Sequence, residues 1–140
     1  MTVHILLADD HQQYRRNLQV SLDAASGLQV VAEAEDGAAA LQQVRDMAPD
    51  LVLMDVALPV LSGIEATRQI TANFPGVKVL ALSLHADKQF VAAILNAGAS
   101  GYVLKDNGIQ ELIQAIRMVA AGGTYLSPEL VGYGLDKDKA

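Results

Sequence analysis

A chain of 140 residues suits one domain with a substantial core, and 51% apolar residues with no Trp suit helices packed on an aliphatic sheet better than an aromatic binding platform. The absence of Cys excludes disulfides, thiolate chemistry and Cys-ligated metals, and a formal charge of −6 argues against a nucleic-acid surface in this segment. The N-terminus has no basic n-region followed by an apolar stretch, and no apolar run approaches the ~20 residues of a membrane span, so the expectation is a soluble, cytoplasmic protein.

Taken in order, Val3 to Ala8 is a short apolar run broken by His4, and it ends at Asp9-Asp10: a first strand. Residues 12–25 carry Tyr14, Leu18, Leu22 and Ala25 at helical spacing, with Arg15, Arg16 and Gln19 on other faces, and Gly27 stops the helix. Leu28 to Ala34 alternates in part, as a less buried edge strand does. Asp36-Gly37 signals a turn, and a second helix takes 38–47, closed by Pro49. Leu51-Val-Leu-Met-Asp55 is a strand apolar on both faces that ends on a carboxylate, because Pro59 and Gly63 punctuate the following loop.

Ser62 can cap a third helix bearing Ile64, Ile70 and Phe74, which stops at Pro75-Gly76. Val77 to Leu82 is a fourth strand, ending at Ser83. Asp87 can cap a fourth helix bearing Val91, Ile94 and Leu95, with Gly98 ending it. Gly101 to Leu104 is a fifth strand, ending at Lys105. Ile109, Leu112, Ile113, Ile116 and Val119 form a helical stripe closed by Gly122-Gly123. Five strands alternating with five helices imply a parallel α/β sheet covered on both faces. From 125 onward, Ser127-Pro128, Gly132, Gly134 and Asp136-Lys-Asp-Lys read as linker or tail. The domain expectation is therefore 1–124 with a tail over 125–140.

In an open parallel sheet the carboxyl ends of the strands share one side, where ligands bind. Asp9-Asp10, Asp55, Ser83 and Lys105 all fall there. Crowded carboxylates repel unless a cation is bound, and Mg²⁺ suits hard oxygen ligands and keeps its waters. A carboxylate beside Mg²⁺ can act as a nucleophile toward phosphorus, with the metal and an ammonium offsetting phosphoryl charge. Lys105 could supply the ammonium and Ser83 a hydroxyl. Singly, each residue has an ordinary reading: turn Asp, helix-capping Asp pair, loop Ser, solvated Lys. It is the joint pattern that carries the chemistry. His4 reads as structural, His11 lies beside the acid pair, and His85 sits in a loop near the pocket rim. No glycine-rich phosphate loop occurs, so nucleotide cradling is unsupported.

These residues resemble the receiver domain of bacterial two-component response regulators, and within that family the LuxR/FixJ/NarL type. The match covers roughly 2–122 and rests on Ala8-Asp9-Asp10-His11, Met54-Asp55-Val-Ala-Leu58-Pro59-Val-Leu-Ser-Gly63, Leu82-Ser83 and Ala97-Gly-Ala-Ser-Gly-Tyr102-Val-Leu-Lys105-Asp106, with Gly122-Gly-Thr-Tyr-Leu-Ser-Pro128 resembling that subfamily's receiver exit. The resemblance implies a flavodoxin-like (CheY-like) doubly wound sheet of order 2-1-3-4-5. It implies that Asp55 accepts a phosphoryl group from a sensor histidine kinase, and that Asp9, Asp10, Asp55 and the backbone carbonyl of Ala57 hold Mg²⁺. Lys105 would pair with the phosphoryl group. Ser83 would be the switch hydroxyl and Tyr102 the switch aromatic, turning inward as Ser83 moves.

The surface of the fourth helix, fifth strand and fifth helix would then change, controlling homodimerisation and, in a longer protein, a DNA-binding helix-turn-helix output domain that this chain lacks. The chain would be a receiver cut from such a regulator or a stand-alone one. Leu58 stands where the family commonly has Met, Gln12 where the subfamily often has Pro, and Asp106 where the wider family has Pro. The last leaves the Lys105–Asp106 peptide open between cis and trans, the cis form costing ~3 kcal/mol without Pro. The expectation is a signalling domain and not an enzyme beyond self-phosphorylation and self-dephosphorylation. The rivals are a degenerate receiver acting as an interaction module, an aspartyl-phosphate phosphatase, disfavoured by Ala57 where a second Asp is usual, and a flavin carrier, disfavoured by the missing phosphate loop.

Overall fold

In the computed structural model, which describes residues 1–132, six parallel strands form one sheet in the order β2-β1-β3-β4-β5-β6. The strands are β1 (Val3–Ala8), β2 (Leu28–Ala34), β3 (Leu51–Met54), β4 (Lys78–Ser83), β5 (Gly101–Leu104) and β6 (Tyr125–Leu126). The helices are α1 (Gln12–Asp23), α2 (Gly37–Met47), α3 (Gly63–Asn73), α4 (Lys88–Asn96) and α5 (Ile109–Ala120). The order of the first five strands is the expected 2-1-3-4-5. No helix among the described residues is long and apolar enough to cross a membrane.

The central strands read as unbroken apolar runs because both of their faces are covered. Alternate residues serve opposite cores. Leu6, Ala8, Val52, Met54, Val79 and Ala81 pack with α2, α3 and α4, through residues such as Ala40, Val44, Ala66, Ile70, Val91 and Ile94. Ile5, Leu7, Leu51, Leu53, Leu80 and Leu82 pack with α1 and α5, through Leu18, Leu22, Leu112, Ile116 and Val119. Register aligns the strand ends: Ala8 pairs with Met54, Met54 with Ala81, and Ser83 with Leu104.

Helix starts follow local chemistry in part. The Ser62 hydroxyl accepts from Glu65 N–H at 3.1 Å, and the Asp36 carboxylate accepts from Ala39 N–H at 2.7 Å. Asp87 stands at the N-cap of α4 without a side-chain cap bond. α1 ends at Asp23, two residues short of the expected end, and the Asp23 carboxylate accepts Val30 N–H from β2 at 2.8 Å.

The sheet differs from expectation at its far edge. Tyr125 and Leu126, read from the sequence as the start of a tail, pair with Gly101 and Tyr102 as a sixth strand. Leu130, in the short 3-10 turn Pro128–Leu130, is fully buried in the same core as Tyr102. A Cβ on Gly101 would lie 2.3 Å from Tyr125 O, so only glycine admits this close a strand. The Ser127 hydroxyl donates to Glu111 Oε1 and accepts from Leu104 N–H, both at 3.1 Å. Gly134 and the Asp136-Lys-Asp-Lys run lie outside the described residues. No cis peptide occurs among the described residues, so Lys105–Asp106 is trans.

Candidate functional site

Asp9 follows β1, Asp55 follows β3 and Lys105 follows β5, and the three side chains meet above the sheet. Backbone pairing fixes their roots: Asp9 N–H donates to Ala34 O and Asp55 N–H to Ala8 O, each at 3.0 Å. Gly63 lets the start of α3 close over the pocket, since a Cβ there would lie 1.9 Å from Asp55 O. The Lys105 ammonium donates to Asp9 Oδ2 and lies 3.4 Å from Asp55 Oδ2, with all three side chains 6–7% exposed. An ammonium shared by two sealed carboxylates offsets a repulsion that neither could bear alone.

The remaining carboxylate oxygens are also held. Asp9 Oδ1 accepts His11 N–H at 2.9 Å and lies 3.1 Å from the His11 ring Nδ1, which in turn lies 3.2 Å from Asp10 Oδ1. Asp55 Oδ1 accepts Ala57 N–H at 3.2 Å. Asp9, Asp10, His11 and Asp55 each offer a ligand atom, all within 4.8 Å of one another. Asp9 and Asp55 are buried while Asp10 and His11 face solvent. A compact set of hard oxygens with one open side fits Mg²⁺, which retains several waters.

Two side chains from α1 complete the pocket, and the sequence pattern assigns neither to it. Arg15, expected on an outer face, is buried: its guanidinium donates to the Asp9 carbonyl and, through Nε, to Glu33 Oε1 at 2.9 Å. Tyr14, expected in the apolar stripe, also places its ring under Lys105, with Nζ 4.5 Å from the centroid. Burial, together with the Asp9, Asp55 and Asp106 carboxylates, pushes the Tyr14 phenol up to about 12. A cation one helical turn past an acid pair, with Glu33 near the end of the neighbouring strand, is the signal that could have found Arg15.

Ser83 and Tyr102 lie on the adjoining strands, both fully buried. They are clamped to one residue. The Ser83 hydroxyl accepts His85 N–H at 3.1 Å, and the Tyr102 hydroxyl donates to the His85 carbonyl at 2.6 Å. Tyr102 is thus in the inward position. Burial raises its pKa, and the hydrogen bond with the Ser83 hydroxyl pulls the other way. His85 itself is exposed, its ring edge-on to Phe90 at 5.5 Å. His4 stays apart from the site, its N–H on Asp50 Oδ2 at 2.8 Å.

The family model described as "Response regulator receiver domain" matches residues 5–117, and the chain belongs to that family of two-component signalling modules. Within it, the chain is of the LuxR/FixJ/NarL type. The transcriptional regulatory protein DegU of Brevibacillus brevis is 41% identical over 128 residues, covering 91% of this chain and 54% of that protein. The response regulator UvrY of Escherichia coli (strain K12) is 37% identical, covering 91% of this chain and 59% of that protein. The chain therefore spans little more than half the length of these curated relatives. Among solved structures, a LuxR-family two-component response regulator from Aurantimonas sp. SI85-9A1 superposes with a TM-score of 0.91 at 36% identity, over 100% of both chains. The receiver domain of NarL from Mycobacterium tuberculosis gives 0.83 at 31% identity, over 86% of this chain and 98% of that one.

Proposed function

We propose that Asp55 is the phosphoryl acceptor of this receiver and that a sensor histidine kinase is the donor. The observation that carries this reading is the Lys105 ammonium lying against both Asp9 and Asp55 at the strand ends. A carboxylate oxygen of Asp55 attacks the phosphorus of a phosphohistidine. An oxygen–phosphorus bond forms, and the phosphorus–nitrogen bond breaks. The electron pair leaves with the imidazole nitrogen, which takes a proton from solvent, and Asp55 becomes an acyl phosphate.

Ala57 N–H keeps the Asp55 carboxylate oriented. Asp9, Asp10, Asp55 and the Ala57 carbonyl are the groups that would hold Mg²⁺, which when bound offsets charge on the phosphoryl oxygens. Lys105 then has a new partner in those oxygens, a charge-assisted bond of the stronger kind. Arg15 keeps the Asp9 backbone in place meanwhile.

Conversion of the Asp55 carboxylate to an acyl phosphate takes the site from about −1 to about −2, a net gain of about one negative charge, and brings three phosphoryl acceptor oxygens. The Ser83 hydroxyl, whose oxygen accepts His85 N–H, can donate its proton to one of them by swinging toward Asp55, which pulls on His85, and His85 also holds Tyr102. The loop after β4 thus moves with both groups, and the surface of α4, β5 and α5 changes with it. In the whole protein this change drives homodimerisation and activates a DNA-binding output domain.

The test is intact mass after acetyl phosphate, with and without Mg²⁺. Wild type gains one phosphoryl group in the presence of Mg²⁺, releasing acetate, and Asp55→Ala gains none. Stoichiometric labelling of Asp55→Ala overturns the assignment.

A further inference from the structure

Lys105 serves carboxylates before transfer and phosphoryl oxygens after it, so the position of its ammonium sets how well it does either. A lysine head on a flexible stem needs a third support. Nζ sits 4.5 Å from the centroid of the Tyr14 ring. Tyr14 comes from the first turn of α1, and its ring is held from behind by the core between α1, α5 and the sheet.

The cleft beside this contact explains why the ring is needed. Between α1 and α5 lies a space of about 230 Å³ with Leu18, Leu104 and Ile109 among its walls, and both Tyr14 and Lys105 border it. Without the ring, the lysine stem has an apolar channel to fall into, and the ammonium is drawn off the carboxylates. The Tyr14 hydroxyl makes no hydrogen bond among the described residues, and the phenol, titrating at about 12, is neutral at physiological pH. The contact is therefore one of ring face to cation.

We infer that Tyr14 is a positioning residue for phosphoryl transfer: its ring holds the Lys105 ammonium over Asp9 and Asp55 and keeps the stem out of the cleft between α1 and α5. The inference rests on reading Asp55 as the acceptor.

Its test uses the full chain, acetyl phosphate and Mg²⁺, with Tyr14→Phe and Tyr14→Leu beside wild type. Tyr14→Leu labels about fivefold to tenfold more slowly, the size a partly desolvated ring–cation contact carries, and Tyr14→Phe restores the rate. In proton NMR, the Lys105 ε-methylene resonances of wild type and Tyr14→Phe lie upfield of an exposed lysine's through the ring current, and those of Tyr14→Leu do not. Labelling of Tyr14→Leu at the wild-type rate overturns the inference. So does a Tyr14→Phe rate as slow as that of Tyr14→Leu, which would assign the role to the hydroxyl. An unshifted Lys105 resonance in wild type overturns it without any variant. Wild type that takes no phosphoryl group defeats the acceptor reading and this inference with it, whereas labelled wild type with an indifferent Tyr14→Leu defeats the inference alone.

Discussion

Val60 has a φ of 68° and a β-branched side chain that is 82% exposed. The left-handed region costs an L-residue about 1–2 kcal/mol, and an exposed isopropyl group recovers little by packing. The turn is imposed from outside the residue. Pro59 O accepts both Leu61 N–H at 2.7 Å and Gly37 N–H at 3.4 Å, so the loop between Asp55 and Gly63 is tied at its centre. Glycine relieves the clash and gives back about 0.5–1 kcal/mol in unfolded-chain entropy. Val60→Gly is thus expected to raise unfolding stability by about 0.5–1 kcal/mol, read as a higher urea midpoint at unchanged slope. A lower midpoint would show that Val60 packs where its exposure says it does not. Pro59 and Gly63 marked this loop in the sequence, but no residue type marks the sign of φ at Val60, since two backbone donors decide it, one from the neighbouring Leu61 and one from the distant Gly37.

At the scale of elements, legibility followed burial and length. β3 and β4 announced themselves because both of their faces are covered, and α5 because its stripe repeats over three turns. β6 did not. Two residues carry no period, and Ser127-Pro128 reads as a turn. What makes Tyr125–Leu126 a strand is non-local: the missing side chain of Gly101 and the Glu111 carboxylate, which receives both the Tyr125 hydroxyl at 2.8 Å and the Ser127 hydroxyl at 3.1 Å. Leu130 secures the far end, at 0% exposure beside the inward Tyr102. Removing its isobutyl group leaves a hole the segment can only partly collapse into. Leu130→Ala is therefore expected to lose about 2–4 kcal/mol of unfolding stability and to lose hydrogen-exchange protection first at Ser127 and Leu104. A loss under about 0.5 kcal/mol, the range of ordinary surface substitutions, would mean that these residues behave as the tail the sequence suggested.

For the whole molecule, the sheet is the framework buried on both faces, and the candidate residues stand at its carboxyl edge. That division was visible in the sequence for Asp9, Asp10, Asp55, Ser83 and Lys105, because parallel topology sends every strand end to one side. It was not visible for Tyr14 and Arg15, whose roles depend on the rotational phase of the first turn of α1. Nor was it visible for His85, which acts through its peptide groups and so leaves no mark in residue type. Yet His85 is where a charge at Asp55 would be converted into shape. Its N–H donates to the Ser83 hydroxyl and its carbonyl accepts from Tyr102, so a shift of one is felt by the other. Shifting such a pair from about 1:99 to 99:1 takes ~5.5 kcal/mol of differential stabilisation, several charge-assisted hydrogen bonds' worth. Lys105 can contribute its share whether or not the loop moves, whereas Ser83 contributes only if it does. Ser83→Ala should therefore accept the phosphoryl group from acetyl phosphate yet remain monomeric by light scattering at concentrations where phosphorylated wild type dimerises. Wild-type dimerisation by the phosphorylated variant would place the coupling elsewhere, with β5 and its lysine as the remaining route from the pocket to the surface.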